Sequence, residues 1–309
     1  AAFGEFNTYA TFIFPSFSLF LIHYIKDMSY QKILCYGTLN PDLIYFIDDL
    51  PVAGGDIRGN DYQIRAGGTA INCAKNIANW GIDVSVLGNS IGKDSLGSYL
   101  IDELDEKNIS HENILFSELP TPTCSIFVDK DGERTIISSG YSKCTWNEIK
   151  GIKDYDSLLI DRYSIPHIKD NISEITDSGV FVVQAGYEHT IDYKIDFLVV
   201  SKDEIDVVEA EKLLNQDLVS RILLTHSNLP ARLISSEGAV EITPPDFKTI
   251  NSTGAGDATA AYIAAHGVED IILTIKNACA AGAITAGTND MPTLKKIEEI
   301  SELVEVTPR

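Results

Sequence analysis

The chain has 309 residues, with 24 Lys plus Arg against 45 Asp plus Glu and a formal net charge of −21. That length allows a substantial core, in one large α/β domain or a domain with a smaller appendage, and the negative balance argues against sequence-independent binding to nucleic acid or to an anionic membrane. Cys35, Cys73, Cys124, Cys144 and Cys279 are odd in number and contain no CxxC pair, and the six His show no metal-ligand spacing, so a reducing cytoplasm is expected rather than a disulfide framework or zinc site.

Residues 1–27 are rich in Phe and carry no Lys or Arg before Lys26. They lack the basic start of a signal peptide, and Pro15, Ser16, Ser18 and His23 interrupt any spanning helix. They are expected to form an extension outside a catalytic unit of residues 28–309, with Met28 as its natural start.

From Lys32 strands and helices alternate. KILCYGTLN reads as a buried first strand, with Asn40 and Asp42 just beyond it. LIYFIDDLP and YQIRA, around the Gly-rich AGGDIRGN, read as half-exposed strands of a small flap over residues 43–66. AGGTAINCAKNIANWG sets Gly67 and Gly68 ahead of an amphipathic helix with Asn72 one turn in. The strand DVSVLGNSIG follows, then a helix whose Leu96, Leu100, Ile101 and Leu104 fall at core spacing. TCSIFVD and RTIISS, joined through Lys130, Asp131 and Gly132, predict a hairpin that completes the flap over residues 121–139. SLLIDRY, a helix near 166–178, VFVVQA, FLVVS, a helix from 202 and RILLTH restore the alternation. Such a pattern predicts a mostly parallel sheet covered on both faces, with ligands beyond the carboxyl ends of its strands.

Residues 251–267 read NSTGAGDATAAYIAAHG. Gly254, Ala255 and Gly256 permit a tight turn that exposes consecutive N–H groups where an Ala-rich helix begins, a turn suited to an anion. Asp257 falls in the first helical turn beside those amides. A carboxylate there would be repelled by bound phosphate, but it makes chemical sense as a base that takes a proton from a hydroxyl attacking phosphorus, while the amides hold the developing charge.

GTLNPD, AGGTAIN, GKDSLG, Glu204 beyond a strand end and STGAGD together resemble the ribokinase family, the PfkB-type carbohydrate kinases, over about residues 32–300. The resemblance implies a three-layer α/β/α fold with a mostly parallel central sheet and a small β-strand lid. It also implies Mg²⁺-assisted transfer of the γ-phosphate of ATP to a hydroxyl of a sugar or nucleoside. By position, Asp257 resembles the general base, and the turn of Gly254, Ala255 and Gly256 the anion hole. Asp42, Gly67, Gly68 and Asn72 resemble the acceptor-binding set. Thr225 and Ser227 fall in the nucleotide loop, Asn277 resembles a residue beside the nucleotide base, and Glu204 one that organises hydrated Mg²⁺.

The chain departs from the family pattern in three places. Ser201 stands where an Asn is usual before the metal-organising Glu. HSNLPA, with Pro230 lacking an N–H, replaces a Gly-bearing nucleotide loop. Asn251 replaces an Asp common in members that bind a monovalent cation, so weak or absent K⁺ activation is expected. Tyr45, Phe46, Tyr62, Phe127 and Tyr141 lie on or beside the lid and could stack on a nucleobase. A furanose-bearing acceptor is favoured. A 2-keto-3-deoxy sugar acid is less favoured, with only Arg65 and Arg162 to meet its carboxylate, and the acidic balance disfavours a sugar already phosphorylated. A non-catalytic nucleotide- or sugar-binding regulator is the alternative, and a homodimer through an exposed lid edge is plausible on physical grounds.

Overall fold

The most continuously apolar runs of the sequence build the middle of one large sheet. The computed structural model describes residues 30–188, 191, 193–227, 229–245, 249, 253–288 and 290–308. The expected extension 1–27, Met28 and Asn251 lie outside the described residues.

In chain order the elements are β1 (Lys32–Gly37), β2 (Asn40–Phe46), β3 (Asp61–Gly67), α1 (Thr69–Asn79), β4 (Asp83–Gly88), β5 (Ile91–Gly92), α2 (Ser95–Glu106), β6 (Phe116–Ser117), β7 (Thr123–Val128) and β8 (Arg134–Ser139). Next come β9 (Ser157–Asp161), α3 (Ile165–Ile168), α4 (Ile172–Thr176), β10 (Phe181–Ala185), β11 (Ile195–Ser201), α5 (Val207–Asn215) and β12 (Val219–His226). β13 (Leu229–Ser235), β14 (Gly238–Thr243), α6 (Ala255–His266), α7 (Ile271–Gly287), α8 (Leu294–Ser301) and β15 (Glu305–Pro308) complete the chain.

The main sheet runs β15-β14-β13-β12-β11-β10-β9-β1-β4. It is parallel from β4 to β12 and antiparallel from β12 to β15. Alternation along β1 shows why both faces must be covered. Ile33 and Cys35 enter a core shared with α1, α2, α6, α7 and α8, whereas Leu34 and Tyr36 enter a second core shared with α3, α4 and α5. Each fully buried Ile or Leu in these cores contributes roughly 1.5–3 kcal/mol of transfer free energy. The result is three layers, α/β/α.

Three expectations shift in detail. The helix expected near 166–178 is broken into α3, a 3₁₀ turn at Lys169–Asn171 and α4, where Asp170 and Asn171 are weak helix formers. The helix expected from 202 starts at Val207, because the Asp206 carboxylate caps it by accepting from Glu209 N at 2.8 Å. Leu229, Pro230 and Ala231, read as part of a loop, instead open β13. Pro230 is tolerated there because the β12–β13 register slips between Leu224 and His226.

A second sheet, ordered β3-β2-β7-β8, stands over the main one. β2 is antiparallel to β3 and parallel to β7, and β7 and β8 form the expected hairpin. One face carries Asp42, Ile44, Phe46, Gln63, Arg65, Ile126, Val128 and Arg134, and it lines a cleft. Tyr45, Tyr62, Ile64 and Phe127 alternate onto the other face. Only Thr38 and Leu39 separate β1 from β2, and both are pinned. Thr38 donates through N and Oγ1 to Asp161 Oδ2 at 2.7 and 2.8 Å, and Leu39 N donates to Asn89 Oδ1 at 2.8 Å.

Candidate active site

The cleft between the small sheet and the helical layer has a volume of about 1010 Å³. Its walls come from the small sheet, from α1, and from the segments around Thr253–Gly254 and Thr285–Pro292. The turn before α6 is built as its sequence requires. Gly254 takes φ 80, a left-handed conformation that favours glycine, and Ala258 N closes the first helical turn on Gly254 O at 2.8 Å. The amides of Ala255, Gly256 and Asp257 have no carbonyl four residues back within α6. A Cβ added to Gly256 would meet no atom within 4 Å, so the space over the turn is open.

Asp257 is half-buried and its Oδ2 accepts from Asn72 Nδ2 at 2.8 Å. Burial raises its carboxyl from the ordinary 3.8 to about 6; the Asn72 bond opposes that rise, while Asp161 and Asp42 add to it by charge repulsion. A carboxylate with that affinity is ionised at neutral pH and able to take a proton. Asp257 does not itself line the large cleft; it meets it through Asn72 and Gly254, which do.

Asp42 lines the same cleft. Its Oδ1 accepts from Asn40 Nδ2 at 2.7 Å, and Asn40 Oδ1 in turn accepts from Tyr141 Oη at 2.7 Å. Burial raises the Asp42 carboxyl to about 6, against the lowering influence of the Asn40 bond, Lys75 and Arg65. The two glycines ahead of α1 are fixed by close approach. A Cβ on Gly67 would lie 2.1 Å from Asp42 Oδ2, and one on Gly68, at φ 87, would lie 2.2 Å from Thr38 O. Asp42, Gly67, Gly68, Asn72, Gly254 and Asp257 are therefore drawn together from three separate stretches of sequence.

Other expected residues fall elsewhere. Thr225 and Ser227 sit at and just past the end of β12, where Thr225 Oγ1 donates to Val200 O at 3.2 Å, and neither lines the large cleft. Asn277 is buried against α6, donating through Nδ2 to Tyr262 Oη at 2.8 Å, and it too is absent from the cleft lining. Of the five aromatics, Phe46 lines the cleft, and Tyr141 is engaged with Asn40. Tyr45 and Phe127 stack on one another at 5.4 Å on the opposite face, where Tyr62 is exposed.

Glu204 has both oxygens engaged. Oε1 pairs with Arg162 Nη1, and Oε2 accepts from Ser201 N at 2.9 Å. Among the described residues no group of three or more His, Cys, Asp or Glu could hold a metal ion. Glu204, the residue expected to organise hydrated Mg²⁺, therefore has both carboxylate oxygens already committed within the protein.

Sequence reading overlooked three residues that the structure makes prominent. Asp161, buried at the end of β9, accepts from Thr38 and from Ser164 N, and its signal was a charge closing an apolar strand. Lys75 lines the cleft one turn after Asn72 on α1. Arg134, at the start of β8, reaches across the cleft to Thr253 Oγ1; nothing local in the sequence marks that contact.

An α/β/α core, a second sheet over its strand ends, and a half-buried carboxylate beside a helix-opening glycine turn define a class of phosphotransferase-like α/β proteins. Residues 30–165 and 181–291 match the model of the pfkB family carbohydrate kinases, and the chain belongs to that family. It is similar to a ribokinase of Dictyostelium discoideum, 31% identical over 128 residues that cover 41% of this chain and 39% of that protein. It is also similar to an ATP-dependent ribose-1-phosphate kinase of Halopiger xanaduensis, 25% identical over 280 residues, covering 83% and 92%. The structure of Arabidopsis thaliana ribokinase complexed with ribose and ATP shares the fold at a TM-score of 0.74 and 20% identity, covering 89% of this chain and 99% of that one. The expected ribokinase-like fold is thus present, and the chain is a phosphotransferase with an alcohol group as acceptor.

Proposed function

We propose that the protein transfers the γ-phosphate of ATP to a hydroxyl of a furanose-bearing sugar or nucleoside, with Asp257 as general base. The observation that carries this reading is the 2.8 Å bond from Asn72 to Asp257, which joins the acceptor-side residues to the anion-binding turn. In the reaction the acceptor O–H proton passes to Asp257, a new O–P bond forms, and the bond from the γ-phosphorus to the β–γ bridging oxygen breaks to release ADP. The amides of Ala255, Gly256 and Asp257 hold the charge on the phosphoryl group in flight. Asp42 and Asn72 grip neighbouring hydroxyls. ATP lies toward the C-terminal half of the cleft, and the segments 43–66 and 121–139 act as a lid that excludes water.

Relatives named for ribose and for ribose 1-phosphate support a pentose-type acceptor. The lid's outer face exposes Tyr62, Ile64 and Ile137, which supports a homodimer through the lid. Among the described residues no helix is long and apolar enough to cross a membrane, and a cytoplasmic location fits the five free cysteines.

The test is Mg·ATP-dependent phosphorylation across nucleosides, pentoses, hexoses and sugar acids, with Asp257→Asn run beside the wild type. Turnover of an acceptor that falls about 10²- to 10⁴-fold in the variant supports the assignment. Near-normal turnover in a folded, ATP-binding variant rejects Asp257 as the base.

A further inference from the structure

We infer that the acceptor carries an anionic group, a phosphate ester or a carboxylate, seated on Lys75 and Arg65 beside Asp42; this deepens the kinase reading above and rests on it. Arg65 lies directly opposite Asp42 across the β2–β3 ladder, so both side chains share the cleft face. Lys75 follows Asn72 by three residues on α1, on the same side of the helix, about one turn from the point where Asn72 meets Asp257. Both cations line the cleft.

Their bonding capacity is largely unused. An ammonium has three donors and a guanidinium five. The Lys75 ammonium makes one long contact, 3.4 Å to Ala66 O, and Arg65 donates to Gln63 Oε1 at 2.7 Å. Among the described residues neither forms an ion pair, whereas Lys93, Lys130 and Lys194 each pair with a surface carboxylate. Arg162, the other base considered for an acidic acceptor, is committed to Glu204.

Neutralising Asp42 does not explain the two bases. Asp42 is bonded by Asn40, while Arg65 donates to Gln63 and Lys75 to Ala66 O, and among the described residues neither base forms an ion pair with Asp42. Burial lowers the Lys75 ammonium below its ordinary value, with Glu103 opposing at a distance beyond pairing range. That is a partly desolvated charge lacking a close counter-ion. The acids Asp131 and Glu133 belong to the β7–β8 turn, at the opposite end of the small sheet from Asp42, roughly 13 Å along the strands. The net charge of −21 does not weigh against an anion here, since solvent charges beyond a Debye length of about 8–10 Å are largely screened.

The test compares three acceptor sets with the full-length protein and Mg·ATP: neutral ribose, fructose and adenosine; ribose and fructose monophosphates; and a 2-keto-3-deoxy sugar acid. The expected result is a kcat/KM for phosphates or for the acid at least about 100-fold above that of the neutral set, and the preferred arm identifies the anion. Lys75→Met and Arg65→Gln should each reduce that preference about 10- to 100-fold, as loss of a charge-assisted hydrogen bond does, while Lys75→Arg retains most of it. A neutral sugar used as well as its anionic counterpart, or a preference unmoved by Lys75→Met, overturns the inference and leaves the kinase reading standing. Absence of turnover in every set despite ATP binding rejects the kinase reading instead. Calorimetric titrations with ribose 5-phosphate and with the 2-keto-3-deoxy sugar acid then decide the anion site alone: binding of either weakened at least about tenfold by Lys75→Met supports it, and no binding of both to the wild type overturns it.

Discussion

Replacing Asp257 by Asn should disable the enzyme and stabilise it at the same time. Asp257 ionises near 6 in the folded chain against an ordinary 3.8, so folding favours its protonated form. For a carboxylate with a raised folded value, the cost is absent below the unfolded value, grows as pH rises between the two, and is complete above about 6. A shift of about two units corresponds to about 3 kcal/mol at 1.36 kcal/mol per unit, and screening through the open face of the side chain reduces this to about 1–2 kcal/mol. Asn keeps an acceptor oxygen for Asn72 and carries no charge, so it escapes the cost at every pH. Urea denaturation at about pH 5 and pH 8 should show the variant more stable at pH 8, with the advantage shrinking by about half at pH 5 and with m unchanged. The same advantage at both pH values, or a variant less stable at pH 8, refutes the claim that Asp257 is held as a desolvated, repelled carboxylate.

Because Asp42 and Asp257 both ionise near 6, log kcat/KM should rise with a slope approaching two below that pH; Asn72→Leu removes the bond that favours ionised Asp257, and pH-rate profiles should then show one limb displaced upward by about one unit. Gly67→Ala places a methyl 2.1 Å from Asp42 Oδ2, and steady-state kinetics should show acceptor KM raised at least about tenfold with the KM for ATP far less affected. Asn277→Leu should change thermal stability but leave the KM for ATP within about twofold, since the amide serves Tyr262 and its Oδ1 lacks a hydrogen-bond partner among the described residues. Arg134→Gln removes the contact to Thr253, and hydrogen exchange in β7 and β8 should accelerate as the small sheet loses its tie to the α6 turn.

The layered core was legible because its signals are local. Apolar runs such as Ile33–Tyr36 and Leu158–Ile160 need no knowledge of the rest of the chain to be recognised as doubly buried strands. The glycine turn before α6 and the Asp131–Gly132 hairpin were legible for the same reason. What stayed hidden depends on which face a residue takes. Tyr45 and Phe46 are adjacent in sequence, yet only Phe46 reaches the cleft, because strand alternation sends its neighbour to the other side. Arg134 and Thr253 are 119 positions apart and meet only through tertiary packing. The three antiparallel strands β13, β14 and β15 are not legible because short segments of mixed polarity carry a weak periodic signal, even though β13 and β14 lie inside the sheet and bury Leu233, Ile234 and Ile242. Lys75 was passed over as one base on an amphipathic helix, since its proximity to Arg65 arises only when β3 and α1 fold back together at Gly67 and Gly68.

The two-residue link from β1 to β2 makes the small sheet a lever hinged at its base. Thr38 and Leu39 are clamped by Asp161 and Asn89, and β3 returns to the same point, with Gly67 opposite Asn40. In a rigid swing about that hinge each residue sweeps an arc in proportion to its distance from it. Phe46, eight residues beyond Thr38, stands roughly 25 Å out, whereas Asp42 is about half as far. A rotation wide enough to admit a sugar at the tip therefore displaces Asp42 about half as much, so the mouth of the cleft can open while the part nearest the chemistry stays close to its working position.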